Sequence, residues 1–194
     1  MKNVNYNYQS VFDELIAKAK QINEIKYVQE IKNSRQMANY YKVIKNDLSK
    51  SYEILSNAIN DLECKGYRIK YDYYFEIAEV IRKQLITVNK INKIEECNNY
   101  YQKALLFSQY SSDISLQTVT NIGIIIFNIQ LKKISLNDLN KILDIREFSQ
   151  KKKIYYMLNW CILIQEYLDK YFCGEFENLN YLYEKIINLN LFIM

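Results

Sequence analysis

A chain of 194 residues with no proline and only three glycines has almost nothing in it to stop a helix. Proline removes a backbone donor and clashes with the preceding turn, and glycine costs about 1 kcal/mol relative to alanine in a helix interior. Set among abundant Ile, Leu, Lys, Asn, Glu and Tyr, this predicts an all-α fold with long helices. With 49% hydrophobic residues in 23.4 kDa, the chain can bury a sizeable core, and a single helical domain over residues 1–194 is expected.

Periodicity organises the chain. Val11, Phe12, Leu15, Ile16 and Ala19 form the apolar stripe of a helix over 8–21. A second pattern, 24–46, runs through Ile25, Val28, Ile31, Met37, Tyr41 and Ile44, with a break at Asn33–Ser34. These N-terminal helices occupy 1–46, and from 47 to 194 a repeat follows. Leu55, Cys97, Leu139 and Leu179 stand 42, 42 and 40 residues apart, a period of about 41. Four residues later come Ile59, Tyr101, Leu143 and Tyr183 on the same helical face. Seven later come Leu62, Ala104, Arg146 and Ile186, where Arg146 is the exception.

Three helix starts fit the same phase. Asn92 with Glu95, Ser135 with Asp138, and Gly174 with Glu177 each place a cap three residues before an acid. Between these second helices lie first helices at about 70–90, 114–132 and 150–173, joined by short connections at 64–69, 109–113 and 147–150. The expected architecture is a stack of antiparallel helical hairpins.

Composition removes several function classes. With no histidine, Ser-His-Asp and Cys-His arrangements cannot be built. The three isolated glycines write neither a P-loop nor a G-x-G-x-x-G loop. Cys64, Cys97, Cys161 and Cys173 have no C-x-x-C spacing, so they read as buried free thiols; no metal and no cofactor is expected, and no enzyme of these kinds. Glu95–Glu96 reads as a dipole-matching first turn rather than a catalytic pair, because adjacent helical residues diverge.

The N-terminus Met-Lys-Asn-Val-Asn-Tyr-Asn lacks the apolar region of a signal peptide, and Ile122-Gly-Ile-Ile-Ile-Phe127 is far too short to span a bilayer, so a cytoplasmic protein outside the membrane is expected. The net charge of +4 is concentrated in residues 14–50, which carry eight Lys/Arg and four Asp/Glu. That surplus suits an acidic protein surface or nucleic acid. A DNA-binding helix-turn-helix can be forced onto 16–36, but the apolar positions of its recognition helix then fall on Tyr27 and Glu30 rather than Val28 and Ile31. Lys151–Lys153, at the start of a helix, reads as solvated charge or a contact for an acidic partner. The doublets Tyr40–Tyr41, Tyr73–Tyr74, Tyr100–Tyr101 and Tyr155–Tyr156 should each send one ring to the core and leave the next near the surface.

The ligand-binding candidates are carboxamides on first helices. Asn121 and Asn128 are seven residues apart on one face, Gln117 is one turn upstream, and Asn159 lies on the next first helix. An Asn side chain donates and accepts at once, so a ladder of them can hold an extended peptide backbone largely irrespective of its sequence; otherwise they are ordinary exposed polar residues. Glu79, Arg82 and Tyr156 would add charge and stacking at the same surface.

Two stretches, Ile94-Glu-Glu-Cys-Asn-Asn-Tyr-Tyr-Gln-Lys-Ala-Leu105 and Gly174-Glu-Phe-Glu-Asn-Leu-Asn-Tyr-Leu-Tyr-Glu-Lys-Ile186, resemble the second helices of tetratricopeptide units. The long period and the run from Lys170 to Leu189 resemble the Rap/Rgg/PlcR class of peptide-pheromone receptors, and the Ile-Glu-Glu-Cys stretch also resembles the phage arbitrium receptor. Over roughly residues 50–190 the resemblance implies a right-handed superhelix whose concave face captures a short peptide, and a possible homodimer. Those receptors usually carry an N-terminal DNA-binding domain or helical bundle, where about 45 residues precede the repeats here. The expectation is a non-enzymatic regulatory protein that captures a short peptide or a partner protein. The alternative is a small nucleic-acid-binding regulator using residues 14–50.

Overall fold

The computed structural model describes residues 33–64, 71–87, 91–109 and 114–191. Its regular elements are eight helices: α1 (Ser34–Val43), α2 (Leu48–Cys64), α3 (Tyr71–Thr87), α4 (Ile91–Gln109), α5 (Ile114–Gln130), α6 (Leu136–Lys152), α7 (Tyr155–Cys173) and α8 (Leu179–Ile187). No helix among the described residues is long and apolar enough to cross a membrane. The helix expected at 8–21 and most of the stretch 16–36 lie outside the described residues. Two compact units divide the chain, Met1–Asp61 and Leu62–Met194.

In the first unit the break at Asn33–Ser34 is a helix start. Asn33 caps α1 by accepting from the backbone N–H of Gln36 at 2.9 Å. Asp47 does the same for α2, accepting from Lys50 N–H at 2.8 Å, while Asn46 takes the left-handed turn at φ 53°. The Ser51 hydroxyl donates to the Ala38 carbonyl at 2.8 Å and ties the two helices together. Ser51, Leu55 and Ile59, four residues apart, are the buried stripe of α2.

The second unit is built around α5. Ten of its 17 residues are buried, leaving one half-buried stripe through Gln117, Asn121, Ile124 and Asn128, and it packs against α3, α4, α6, α7 and α8. A helix apolar over most of its circumference belongs largely in the interior, and Ile122, Ile125, Ile126 and Phe127 put it there. The closest-packed pairs are α3 with α4 and α6 with α7, whereas α5 and α6 touch more lightly. The last helix, α8, lies on α5 as well as α7, so this end folds back on the bundle rather than extending a stack in which each unit meets only its neighbours.

The buried quartet Cys97, Tyr101, Ala104 and Ser108 of α4 has counterparts in α6, each 41 residues on: Asp138, Ile142, Ile145 and Ser149. The interior register of α6 is therefore one residue earlier than Leu139, Leu143 and Arg146; Leu143 is 40% exposed. An acid fills the first interior slot because it closes the α6 capping box, accepting from Ser135 N–H at 2.8 Å and from the Ser135 hydroxyl at 2.7 Å. In α8 the buried positions are Leu182, Ile186 and Ile187, not Leu179 and Tyr183.

Three helix-end assignments change. Gly174 ends α7 rather than starting α8: at φ 74° it is the left-handed cap whose N–H returns to the Lys170 and Tyr171 carbonyls. Lys151 and Lys152 close α6, where cations suit the negative end of the helix, and Lys153 takes the left-handed turn that leads into α7. Asn92 sits inside the first turn of α4, which starts at Ile91. The tyrosine doublets divide as expected: Tyr40, Tyr74, Tyr101 and Tyr156 are buried, and their neighbours Tyr41, Tyr73, Tyr100 and Tyr155 are half-buried or exposed. Cys97 and Cys161 are buried, but Cys64 and Cys173 are exposed.

Candidate functional site

Spacing of three along α3 puts Glu79 and Arg82 on one face, and that face is turned to the interior of the second unit. Their side chains are 1% and 0% exposed. Arg82 grips the carboxylate in bidentate fashion with one edge of its guanidinium, Nε to Oε1 at 3.0 Å and Nη2 to Oε2 at 2.8 Å. The Tyr101 hydroxyl of α4 donates to Glu79 Oε1. A glycine on α5 makes this possible: a Cβ at Gly123 would stand 2.9 Å from Tyr101 Cε1 and 3.2 Å from Glu79 Oε1.

Burial pushes the Glu79 carboxyl up, but the Arg82 guanidinium, with hydrogen bonds from Arg82 and Tyr101, outweighs it and holds Glu79 below the usual carboxylate value of 4.5. Burial lowers Arg82 and Glu79 more than offsets that, so the pair is charged. Tyr101, desolvated and facing that carboxylate, is held well above its ordinary value and stays a donor.

The rest of the guanidinium faces the C-terminal end of α8. Nη1 donates to the Ile187 carbonyl at 2.8 Å and Nη2 to the Leu189 carbonyl at 3.2 Å. The neighbouring Lys83 ammonium donates to Asn190 Oδ1. A helix leaves its last carbonyls without internal partners, and a cation there meets both that need and the helix dipole.

Beside this network, four helices of the second unit converge on a cleft of 380 Å³. Leu85 and Ile86 of α3, Ile94 of α4, Leu131 after α5, and Tyr183 and Ile187 of α8 line it together with the polar Glu184 and Gln130. Gln130 Nε2 donates to the Arg82 carbonyl at 3.1 Å, whereas its Oε1 is buried without a hydrogen-bond partner. A buried acceptor left unpaired costs about 1–3 kcal/mol. A larger depression of 640 Å³ runs along the outer face of α4, walled among the described residues by that helix alone.

The other candidates from the sequence are placed as follows. Gln117, Asn121 and Asn128 share the half-buried stripe of α5, on a different face from Gly123. Asn121 Nδ2 donates within its own helix to the Gln117 carbonyl at 2.9 Å, and Asn128 Nδ2 donates to Asp138 Oδ1 at 3.0 Å. Tyr156 is buried edge-on to Trp160, ring centroids 5.2 Å apart, and Asn159 is exposed on α7. Glu79 and Arg82 therefore meet each other and the end of α8, not the stripe that carries the carboxamides, because their face of α3 is interior. Gln130 and the two carbonyls escaped sequence reasoning. A polar residue closing the apolar run of α5 was a usable sign for Gln130, whereas a backbone carbonyl leaves none.

Among the described residues, no group of three or more Cys, Asp and Glu side chains is placed to hold a metal ion. Desolvation pushes the Cys97 thiol far up and the Cys161 thiol up to about 12, so neither is a ready nucleophile. No protein-family model, curated protein or solved structure matches the chain.

Proposed function

We propose that the chain is a non-enzymatic regulatory binding protein that captures a short peptide, or an extended segment of a partner protein, in the cleft between α3, α4, α5 and α8. The observation that carries this reading is the convergence of α3, α4, α5 and α8 on one cleft, where Leu85, Ile86, Ile94 and Ile187 stand beside Gln130 and Glu184. A cleft that sets a few polar side chains, here Gln130 and Glu184, among aliphatic ones is the usual composition of a ligand site, and 380 Å³ falls within the usual size range of about 300–1,000 Å³. An extended peptide has what such a cleft lacks: backbone N–H donors between apolar side chains.

In this reading the helices form a right-handed, tetratricopeptide-like hairpin stack related in plan to the peptide-pheromone and arbitrium receptors, closed at one end by α8. The protein works in the cytoplasm, alone or as a homodimer. Glu79 and Arg82 stand behind the cleft as positioning groups for α8.

The test is a peptide-display selection on the full chain, followed by titration of selected peptides against variants. Ile86 lines the cleft and is 39% exposed, so Ile86→Asp leaves the core intact while placing a charge in the apolar wall beside Glu184. We expect it to weaken binding by about tenfold or more, as for a charge set into an apolar contact. Leu143→Asp, on the exposed side of α6, should leave binding unchanged. Binding lost in the paired change Asn121→Ala and Asn128→Ala, but retained in Ile86→Asp, would move the site to the carboxamide stripe of α5. A full chain that selects no peptide contradicts the reading.

A further inference from the structure

The guanidinium of Arg82 divides its work. One edge is held by Glu79, which Tyr101 orients in turn. The other edge reads main chain, with the carbonyls of Ile187 and Leu189 two residues apart. Ile187 closes α8, and its 2.8 Å bond belongs to that helix end. Leu189 lies beyond the helix, and its bond is the longer, at 3.2 Å.

The segment Leu189–Leu191 is held in three further ways. Leu189 N–H returns to the Ile186 carbonyl at 3.1 Å, Asn190 Oδ1 accepts from Lys83, and Leu191 is seated at 1% exposure. The pattern is that of a bound peptide: a main-chain carbonyl on a cation, a polar side chain on the next cation, and an aliphatic anchor. It adjoins the cleft directly, since Ile187 lines the cleft and Gln130 donates to the carbonyl of Arg82 itself.

We propose that Leu189–Leu191 is an exchangeable internal ligand, and that the peptide taken at this end of the bundle carries the same pattern of aliphatic, polar and aliphatic residues. The inference rests on the peptide-capture reading and specifies its ligand and its regulation. An incoming peptide takes over the Nη2 donor of Arg82, the Lys83 ammonium and the seat of Leu191, while the bond from Nη1 to Ile187 keeps α8 in place. The chain's own segment sets the threshold, because only the fraction of molecules with the segment released can bind.

The experiment uses the full chain and a labelled, end-blocked peptide of the sequence Asn-Leu-Asn-Leu. Leu191→Asp unseats the internal anchor and should raise affinity for this peptide by about tenfold, and Asn190→Ala, which removes only the Lys83 contact, by about two- to threefold. Faster amide exchange at 189–191 in both variants, with α8 still protected, is the accompanying sign. If Leu191→Asp fails to fold, Asn190→Ala decides: affinity equal to that of the unaltered chain overturns the exchange. A display-selected peptide that binds without changing exchange at 189–191, while the Asn-Leu-Asn-Leu peptide binds no variant, overturns the exchange and leaves peptide capture standing. Failure of both peptides on every variant overturns the two together.

Discussion

Replacing Arg82 with methionine tests the interior of the second unit most severely, because it removes one member of a pair that has no access to water. The carboxylate of Glu79, 1% exposed, would keep only the Tyr101 hydroxyl, and the carbonyls of Ile187 and Leu189 would lose their donors. Breaking a buried pair from one side costs about 3–5 kcal/mol, most of it the uncompensated charge. With a urea dependence of about 2 kcal/mol per M, the midpoint should fall by about 2 M. Trp160 is the single tryptophan and is buried in the second unit, so its fluorescence reports this transition. The double replacement Glu79→Gln with Arg82→Met should recover a large part of the loss, since no bare charge remains.

The pH dependence supplies the sign. In the unaltered protein the Glu79 carboxyl is held below its ordinary 4.5, so its contribution is complete above about pH 4.5 and is lost as pH falls through the folded value. In Arg82→Met, burial without the guanidinium raises that carboxyl above 4.5, so this variant gains stability as pH falls from neutral towards 4.5. A single replacement that costs under about 1 kcal/mol, with the pH profile of the unaltered protein, would refute the buried-pair account.

Gly123→Ala gains up to about 1 kcal/mol of helix propensity but drives a methyl into the ring of the fully buried Tyr101, an overpacking worth about 1–3 kcal/mol, so the urea midpoint should fall rather than rise. Asp138→Ala opens the α6 capping box and strips Asn128 of its acceptor, for a loss of about 2 kcal/mol by the same fluorescence assay. Maleimide should label Cys64 and Cys173 in the native chain and reach Cys97 and Cys161 only in urea, as counted by mass spectrometry.

Absence of breakers made the helices legible, and one local rule placed many of the rings: successive residues on a helix diverge, so each tyrosine doublet has one buried member. The Ser135 and Asp138 capping box could also be read directly, because both halves lie within four residues. Gly174 could not be assigned to the right end, since glycine serves starts and ends alike and only the backbone, at φ 74°, distinguishes them. The register of α6 slipped by one because Asp138 occupies an interior slot where periodicity looks for an aliphatic residue. Glu79 and Arg82 stood out as a charged pair at helical spacing, but that spacing is the same on a wet face as on a dry one. Their partners, the Ile187 and Leu189 carbonyls, lie 105 and 107 residues away in the chain and carry no side-chain signature. The unbroken apolar run 122–127 is the sign in the sequence that α5 is central, because six consecutive helical residues cover more than one face.

The central claim is that a peptide sits where α3, α4, α5 and α8 converge. Photo-crosslinking of a display-selected peptide to the full chain, with adducts mapped by mass spectrometry, tests it directly. Adducts on Leu85, Ile86, Ile94, Leu131 or Tyr183 are the predicted result, and adducts confined to the exposed faces of α6 and α7, at Leu143, Asn159 or Ile162, would contradict it.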